Sequence, residues 1–301
     1  MDNADVPKDP NSGIYAVSRS RGKQPGESRL TARIRERRKA DGKARSSDES
    51  EAEDELASGA VVLHKLFNRS VVLYPNNTVI KSGHRIVLGE AEALKTAARA
   101  GVLVPTVHKA YTAPDGRVNL CMDYVPGESL DKLWPVISDN EKINIAHQLR
   151  AILERMRSVD PPRDLISACD GTEIRDSRVY FTYHAPACRG EHAFNEYLLS
   201  SLEAPTPPLV REALSRGLRT DHRIVLSHCD LAPRNIIVQD GKITGLVDWE
   251  DSGWYPEYWE YVKFFQRPST HEWKRYAEHI FPEFYHDELI QYFAMARWQS
   301  S

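Results

Sequence analysis

The stretch Leu226-Ser-His228-Cys-Asp230-Leu-Ala-Pro-Arg-Asn235, followed by Leu246-Val-Asp248-Trp, places an imidazole, two carboxylates and an amide at close spacing. Such a set suits metal-assisted phosphoryl transfer. A triphosphate needs its charge neutralised by magnesium, which prefers oxygen ligands and takes few of them from the protein, while a carboxylate orients the attacking hydroxyl. His228-x-Asp230-x-x-x-x-Asn235 offers one carboxylate for the hydroxyl and an amide oxygen for the metal. Ile236 to Val247 then reads as two short strands joined by Asp240-Gly241, a dipeptide suited to the positive φ angles of a tight hairpin turn. The hairpin returns the chain towards its start, so Asp248 is expected near Asn235, completing a magnesium site. Singly, these residues have ordinary explanations: a turn aspartate, a capping asparagine, a hydrogen-bonded core histidine. The apolar Ile224-Val225-Leu226 before them and the hairpin after them make the combination specific.

The elements that must position this loop are legible on both sides of it. Val61 to Phe67, Val71 to Tyr74 and Thr78 to Lys81 are short β-prone runs, separated by Asn68-Arg-Ser70 and Pro75-Asn-Asn77. Leu88 to Ala100 is rich in strong helix formers and stops at Gly101. Val104 to Tyr111 and Val118 to Val125 read as two further strands around an Asp115-Gly116 turn. Ser138-Asp-Asn-Glu141 has capping-box form and opens a long helix, in which Ile145, Leu149, Ile152, Leu153 and Met156 make one apolar stripe. Pro161-Pro162 ends it. About sixty residues then precede the catalytic loop, more than a connection needs. Helices are expected there around Glu191 to Leu199 and Val210 to Arg216.

The His-x-Asp-x-x-x-x-Asn pattern followed by an aspartate on the next strand resembles the aminoglycoside phosphotransferase and choline kinase group, a branch of the protein-kinase-like fold. The longer runs His228 to Val238 and Val247 to Glu260 are similar to its fungal phosphotransferase-domain members, and the resemblance covers about residues 60 to 298. It implies an α+β, two-lobed protein-kinase-like fold, with a small antiparallel β lobe plus one helix at 59–125 and a larger, mainly helical lobe at 126–301. It implies Asp230 as catalytic base, Asn235 and Asp248 as magnesium ligands, and His228 as the brace of the loop. Lys81 then binds the nucleotide phosphates, paired with Glu90 or, as the alternative, Glu92, and the backbone of Met122, Asp123 and Tyr124 forms a hinge that meets a purine edge. Asn68-Arg-Ser70 takes the place of the phosphate-covering loop; it lacks the G-x-G-x-x-G pattern, and Ser70 is expected to donate a hydrogen bond in its stead. The donor is ATP, with GTP as an alternative, and the acceptor is a small-molecule hydroxyl. Two positions depart from the common pattern: Cys229 stands where members usually have glycine, and Trp249 follows the metal aspartate where protein kinases have phenylalanine.

Composition bounds the remaining classes. A chain of 301 residues with 41% hydrophobic content can bury a substantial core. The absence of a long apolar run and of a signal-peptide core in the opening segment leads us to expect a cytoplasmic protein. A formal net charge of −3 argues against nucleic acid as the main partner. Residues 1–58 carry a basic block, Arg19 to Arg45, then an acidic one, Asp48 to Glu55, a composition that predicts a disordered tail and leaves nuclear import open. The four cysteines lack metal-ligand spacing and read as reduced thiols. The family resemblance implies acceptor-recognition helices before the loop, which makes His192, Asn195 and Glu196 candidates for that role. After Asp248 the chain is both acidic and aromatic through Glu260, which is read as core aromatics with acids facing water or, alternatively, as a site for a cationic amino sugar or amino alcohol. A non-catalytic binding protein with this fold is the competing function. A protein kinase is disfavoured, because Asp248-Trp-Glu replaces the Asp-Phe-Gly triplet.

Overall fold

The computed structural model describes residues 59–66, 69–162, 165–177 and 182–299. The expectations for the charged segment 1–58 and for Asn68 fall outside these residues. The β-prone runs become β1 (Val61–Leu66), β2 (Arg69–Leu73) and β3 (Thr78–Gly83), followed by α1 (Gly89–Arg99), β4 (Val107–Thr112) and β5 (Val118–Asp123). All five strands form one antiparallel sheet in the order β1-β2-β3-β5-β4. Side chains alternate across a strand, and in this sheet Val79, Lys81, Leu120 and Met122 share the buried face. The apolar members join Ala91, Leu94 and Ala97 of α1 in a single core. Each fully buried aliphatic side chain there contributes about 1.5–3 kcal/mol.

The chain leaves the sheet through Pro126-Gly127. Gly127 has φ +129°, and a Cβ at this position would lie 2.6 Å from the Val238 carbonyl oxygen, so only glycine fits. Glu128 and Ser129 pair with Val238 and Ile237, tying the crossing segment to the strand that follows Asn235. The long helix α2 (Asp139–Arg157) begins at the expected capping box, with both reciprocal bonds between Ser138 and Glu141 present. Its stripe from Ile145 to Met156 is buried.

The region between α2 and the catalytic loop holds the expected helices, α3 (Gly190–Ser200) and α4 (Pro208–Arg216), and also a hairpin that the sequence did not announce, β6 (Ile174–Ser177) with β7 (Thr182–Ala185). The catalytic segment runs through β8 (Ile224–Ser227), a 3₁₀ turn at Pro233–Asn235, β9 (Ile236–Gln239), β10 (Lys242–Leu246) and β11 (Gly253–Pro256). Asp240 and Gly241 both have positive φ, 51° and 71°, as the hairpin requires. Helices α5 (Trp259–Gln266) and α6 (His286–Ala296) follow, with two short helices, His271–Arg275 and Ala277–Ile280, between them. Phe194, Leu198, Tyr255, Trp259, Val262, Tyr292 and Met295 form a second core beneath the loop.

Candidate active site

The catalytic loop is held chiefly by hydrogen bonds to its own backbone. His228 is fully buried; its Nδ1 accepts the Asp230 N–H at 3.2 Å, which assigns the ring proton to Nε2, 3.1 Å from the Val247 carbonyl. Burial pushes its pKa down, favouring the neutral ring that this tautomer needs. One imidazole thus ties the loop to the residue before Asp248, as the expected brace should, and its edge packs on Trp249. The buried Glu260 carboxylate accepts the N–H groups of His228 and Cys229. Burial raises Glu260 to about 7 against those bonds. Cys229 sits at φ +67°, the left-handed region that favours glycine, at a cost of about 1–2 kcal/mol. Its thiol lies in the second core, and burial pushes its pKa well above the usual thiol range, so the side chain is inert packing.

Asp230 is almost wholly buried. Its Oδ2 accepts from Asn235 Nδ2 at 3.0 Å and from Arg234 Nη2 at 2.6 Å. Its Oδ1 is buried without a hydrogen bond, with Arg267 Nε at 3.5 Å. Asn235 Nδ2 also donates to the Asp230 carbonyl at 2.9 Å, which leaves the amide oxygen as its remaining ligand atom. The hairpin closes as expected: the Val247 N–H donates to the Asn235 carbonyl at 3.0 Å, and Asp248 follows at φ +65°.

The sheet contributes a cluster of charges to the same place. Lys81 Nζ lies 2.8 Å from both oxygens of Glu90 and 2.6 Å from Asp248 Oδ1. Glu92, the alternative partner, instead binds Lys95 at 2.7 Å near the surface. Burial alone would lower the Lys81 pKa, but Glu90 and Asp248 outweigh it and hold the ammonium well above its ordinary value. Burial likewise opposes ionisation of Asp248, and Lys81 and Arg69 overcome it, holding the carboxyl well below the usual range. Carboxylate oxygens of Glu90, Asp248 and Glu250 lie within 4.8 Å of one another, an all-oxygen group of the kind a hard divalent cation takes.

Several sequence expectations need correction. Ser70 is not in the turn; it is a residue of β2 paired with Lys65, and strand alternation sends Arg69, not Ser70, to the face that carries Lys81. Arg69 Nη1 reaches Glu250 at 3.3 Å and Asp248 Oδ1 at 3.7 Å. The hinge backbone is partly spent: β5 lies between two strands, and the N–H groups of Asp123 and Tyr124 donate to the Thr106 and Asn77 carbonyls, while Met122 is buried in the core. Neither amide is free for a purine edge. The aromatics Trp254, Tyr255, Tyr258 and Trp259 are buried core, as read, but Asp251 and Glu260 are buried with them, and Glu250 and Glu257 are only partly exposed. Asp251 is held by Arg175, Ser177 and Arg267, Glu250 by Arg69, and Glu260 by the loop. His192 and Glu196 are exposed and pair with each other, while Asn195 is buried and donates to the Arg219 carbonyl.

Arg69, Arg175, Arg234 and Arg267 surround these carboxylates without having been singled out from the sequence, whereas Glu250, Asp251 and Glu260 were legible only as members of an acidic and aromatic run. Arg234 and Glu250 adjoin motif residues and were within reach of a charge count. Arg175 and Arg267 arrive from β6 and the end of α5, and no spacing rule connects them to Asp230.

The profile of the phosphotransferase enzyme family matches residues 81–299. A search of curated proteins returned no match. Among solved structures, a thermostable mutant of aminoglycoside phosphotransferase APH(4)-Ia in ternary complex with AMP-PNP and hygromycin B superposes with a TM-score of 0.55 at 14% identity, covering 79% of this chain and 84% of that one. The GDP and kanamycin complex of APH(2")-IIia gives 0.52 at 16% identity over 79% and 82% of the two chains. The GDP complex of wild-type aminoglycoside 2'-phosphotransferase-IIIa gives 0.53 at 15% identity over 81% and 83%. Sheet, helices and catalytic loop thus have the two-lobed protein-kinase-like arrangement, and the chain belongs to the phosphotransferase enzyme family.

Proposed function

We propose that this small-molecule kinase moves the γ-phosphoryl group of ATP, with GTP as an alternative donor, to a hydroxyl of a small molecule. The observation that carries the reading is the Lys81 ammonium bound at once to Glu90 on α1 and to Asp248 beyond the catalytic hairpin. It joins the sheet and the loop in one charged centre. Residues 59–125 are the nucleotide-binding part in this reading and 126–301 the catalytic and acceptor-binding part. A purine edge would find its amide donor beyond Tyr124, because the two preceding amides are engaged.

Asp248, clustered with Glu250 and Glu90, offers carboxylate oxygens, and Asn235, the other ligand in this reading, offers its amide oxygen, an all-oxygen set that fits magnesium. Magnesium bound there would neutralise charge on the phosphates. Lys81 orients the α and β phosphates. Asp230 Oδ1, free of hydrogen bonds, accepts one from the acceptor hydroxyl and takes its proton as the new oxygen–phosphorus bond forms and the β–γ bridge breaks. Asn235 and Arg234 fix the other oxygen, so the carboxylate keeps its orientation. His228 and Glu260 hold the loop that carries it. Most of the acceleration comes from this positioning and from electrostatics.

The acceptor's class is open to a direct assay. The solved neighbours hold hygromycin B and kanamycin, whereas the acids after Asp248 in this chain already pair with arginines or backbone amides. Nucleotide consumption by the purified protein, screened against amino sugars, amino alcohols and neutral polyols with Asp230→Asn as blank, tests activity and acceptor together. Equal turnover by Asp230→Asn and wild type would sink the assignment. Stabilisation by Mg-ATP without turnover on any acceptor would favour a binding protein. The described residues include no helix long and apolar enough to cross a membrane.

A further inference from the structure

We propose that Arg69 is a phosphate ligand held in reserve: in the unliganded protein its guanidinium covers Asp248 and Glu250, and when metal and nucleotide bind it transfers to the phosphates. This rests on the phosphotransferase reading and adds to it a residue outside the motifs.

The argument begins with strand register. Arg69 opposes Gly83 and Val71 opposes Lys81 across β2 and β3, so Arg69 and Lys81 project from the same face of the sheet. Both cations converge on one atom, Asp248 Oδ1, at 3.7 and 2.6 Å. Arg69 also holds Glu250 at 3.3 Å, and that carboxylate has Arg175 at 3.8 Å on its other oxygen. The carboxylates a divalent cation needs are therefore already neutralised by protein cations. A divalent cation arriving there displaces Arg69, and a displaced guanidinium at a half-buried position needs a new anion. The triphosphate that accompanies the metal supplies it within a few ångströms.

The same exchange suits a chain without a glycine-rich phosphate loop. Leu66 and Arg69 are paired across β1 and β2, and the sequence before Arg69 lacks the G-x-G-x-x-G pattern. A sequence without those glycines does not supply the successive backbone amides that a glycine-rich loop brings to phosphates. A guanidinium offers a planar fork of donors that matches phosphate oxygens, in place of those amides.

The proposal predicts shifts of opposite sign, which a purely structural role would not produce. Calorimetric titration of the full chain compares wild type, Arg69→Met and Arg69→Lys against Mn²⁺ alone, Mg-ATP, Mg-GTP and adenosine. Arg69→Met is expected to weaken Mg-nucleotide binding by roughly ten- to a hundredfold, the worth of charge-assisted hydrogen bonds. It should leave adenosine within about twofold and tighten Mn²⁺ alone, because a competitor for the carboxylates is gone. Arg69→Lys keeps the charge, loses the fork, and should fall between. Unchanged Mg-nucleotide affinity in Arg69→Met, or joint weakening of Mn²⁺, nucleotide and adenosine, overturns the proposal while leaving the phosphotransferase reading intact. If Arg69→Met does not fold, Arg69→Lys decides, and wild-type affinity in that variant overturns it. A wild type that binds neither Mg-ATP nor Mg-GTP removes both the reading and the proposal.

Discussion

The two walls of the site are built from different bonds. On the sheet side, Lys81, Glu90, Arg69, Asp248 and Glu250 are held by ion pairs. On the loop side, His228, Glu260 and Asn235 act mainly on backbone N–H and carbonyl groups, and the Arg234–Asp230 ion pair is added at the carboxylate they position. Ion pairs can be exchanged for ligand charges without a change of fold, whereas backbone hydrogen bonds fix where a side chain starts. The sheet wall is suited to receive charge; the loop wall is suited to hold Asp230 still. Preorganised groups of the second kind cost no reorganisation during reaction.

This contrast can be broken most directly at Asp230. Asp230→Asn should lower transfer by roughly a hundred- to ten-thousandfold, as loss of a positioned base does, while Mg-ATP affinity in a titration stays near wild type. A matching loss of affinity would mean that the two walls do not divide the work. Glu260→Gln probes the loop wall through stability. It removes one of two acceptor oxygens from buried N–H groups and should cost about 1–3 kcal/mol in chemical denaturation, with little change in nucleotide affinity. Lys81→Met is the counterpart on the sheet wall, expected to weaken Mg-ATP binding by about tenfold or more through loss of a charge-assisted contact.

A smaller effect separates the site from the rest of the molecule. His222, buried between Glu191 at 2.7 Å and Glu288 at 3.1 Å, lies apart from both walls. Burial alone would lower its pKa, but the two carboxylates raise it above 6.5. The folded state therefore holds a proton that the unfolded chain loses. The stabilisation is complete below about pH 6.5 and is lost as pH rises through the folded-state value. Melting temperature should fall across that window in wild type, with a shallower slope in His222→Gln. An identical slope in the two proteins would exclude His222 as its source. The least change is expected at Cys229→Gly: relief of left-handed strain and loss of a small buried side chain oppose each other, so stability should move by no more than about 1 kcal/mol.

The legible parts of this protein were those in which neighbours in sequence remain neighbours in space. The capping box of α2, the Asp240-Gly241 hairpin and the spacing of His228, Asp230, Asn235 and Asp248 are local, and each sits where the sequence put it. Lys81 and Glu90 were found because a strand and the next helix carry them. Ser70 is the residue the sequence offers as a hydrogen-bond donor there, and only the register of β2 against β3 shows that Arg69 shares the face of Lys81. The acids after Asp248 were expected in water because their arginine partners are remote: Arg175 lies 76 positions before Asp251.

By itself the sequence determined the spacing of the proposed machinery, since Asp230, Asn235 and Asp248 can be set by one loop and one hairpin. The tertiary structure decided how their charges are balanced. Arg69, Arg175 and Arg267 come from three distant segments and meet Asp248, Glu250, Asp251 and Asp230 only when the sheet, the β6–β7 hairpin and α5 pack around the loop. Coulomb interactions depend on distance in space and not along the chain, so no spacing rule announces them.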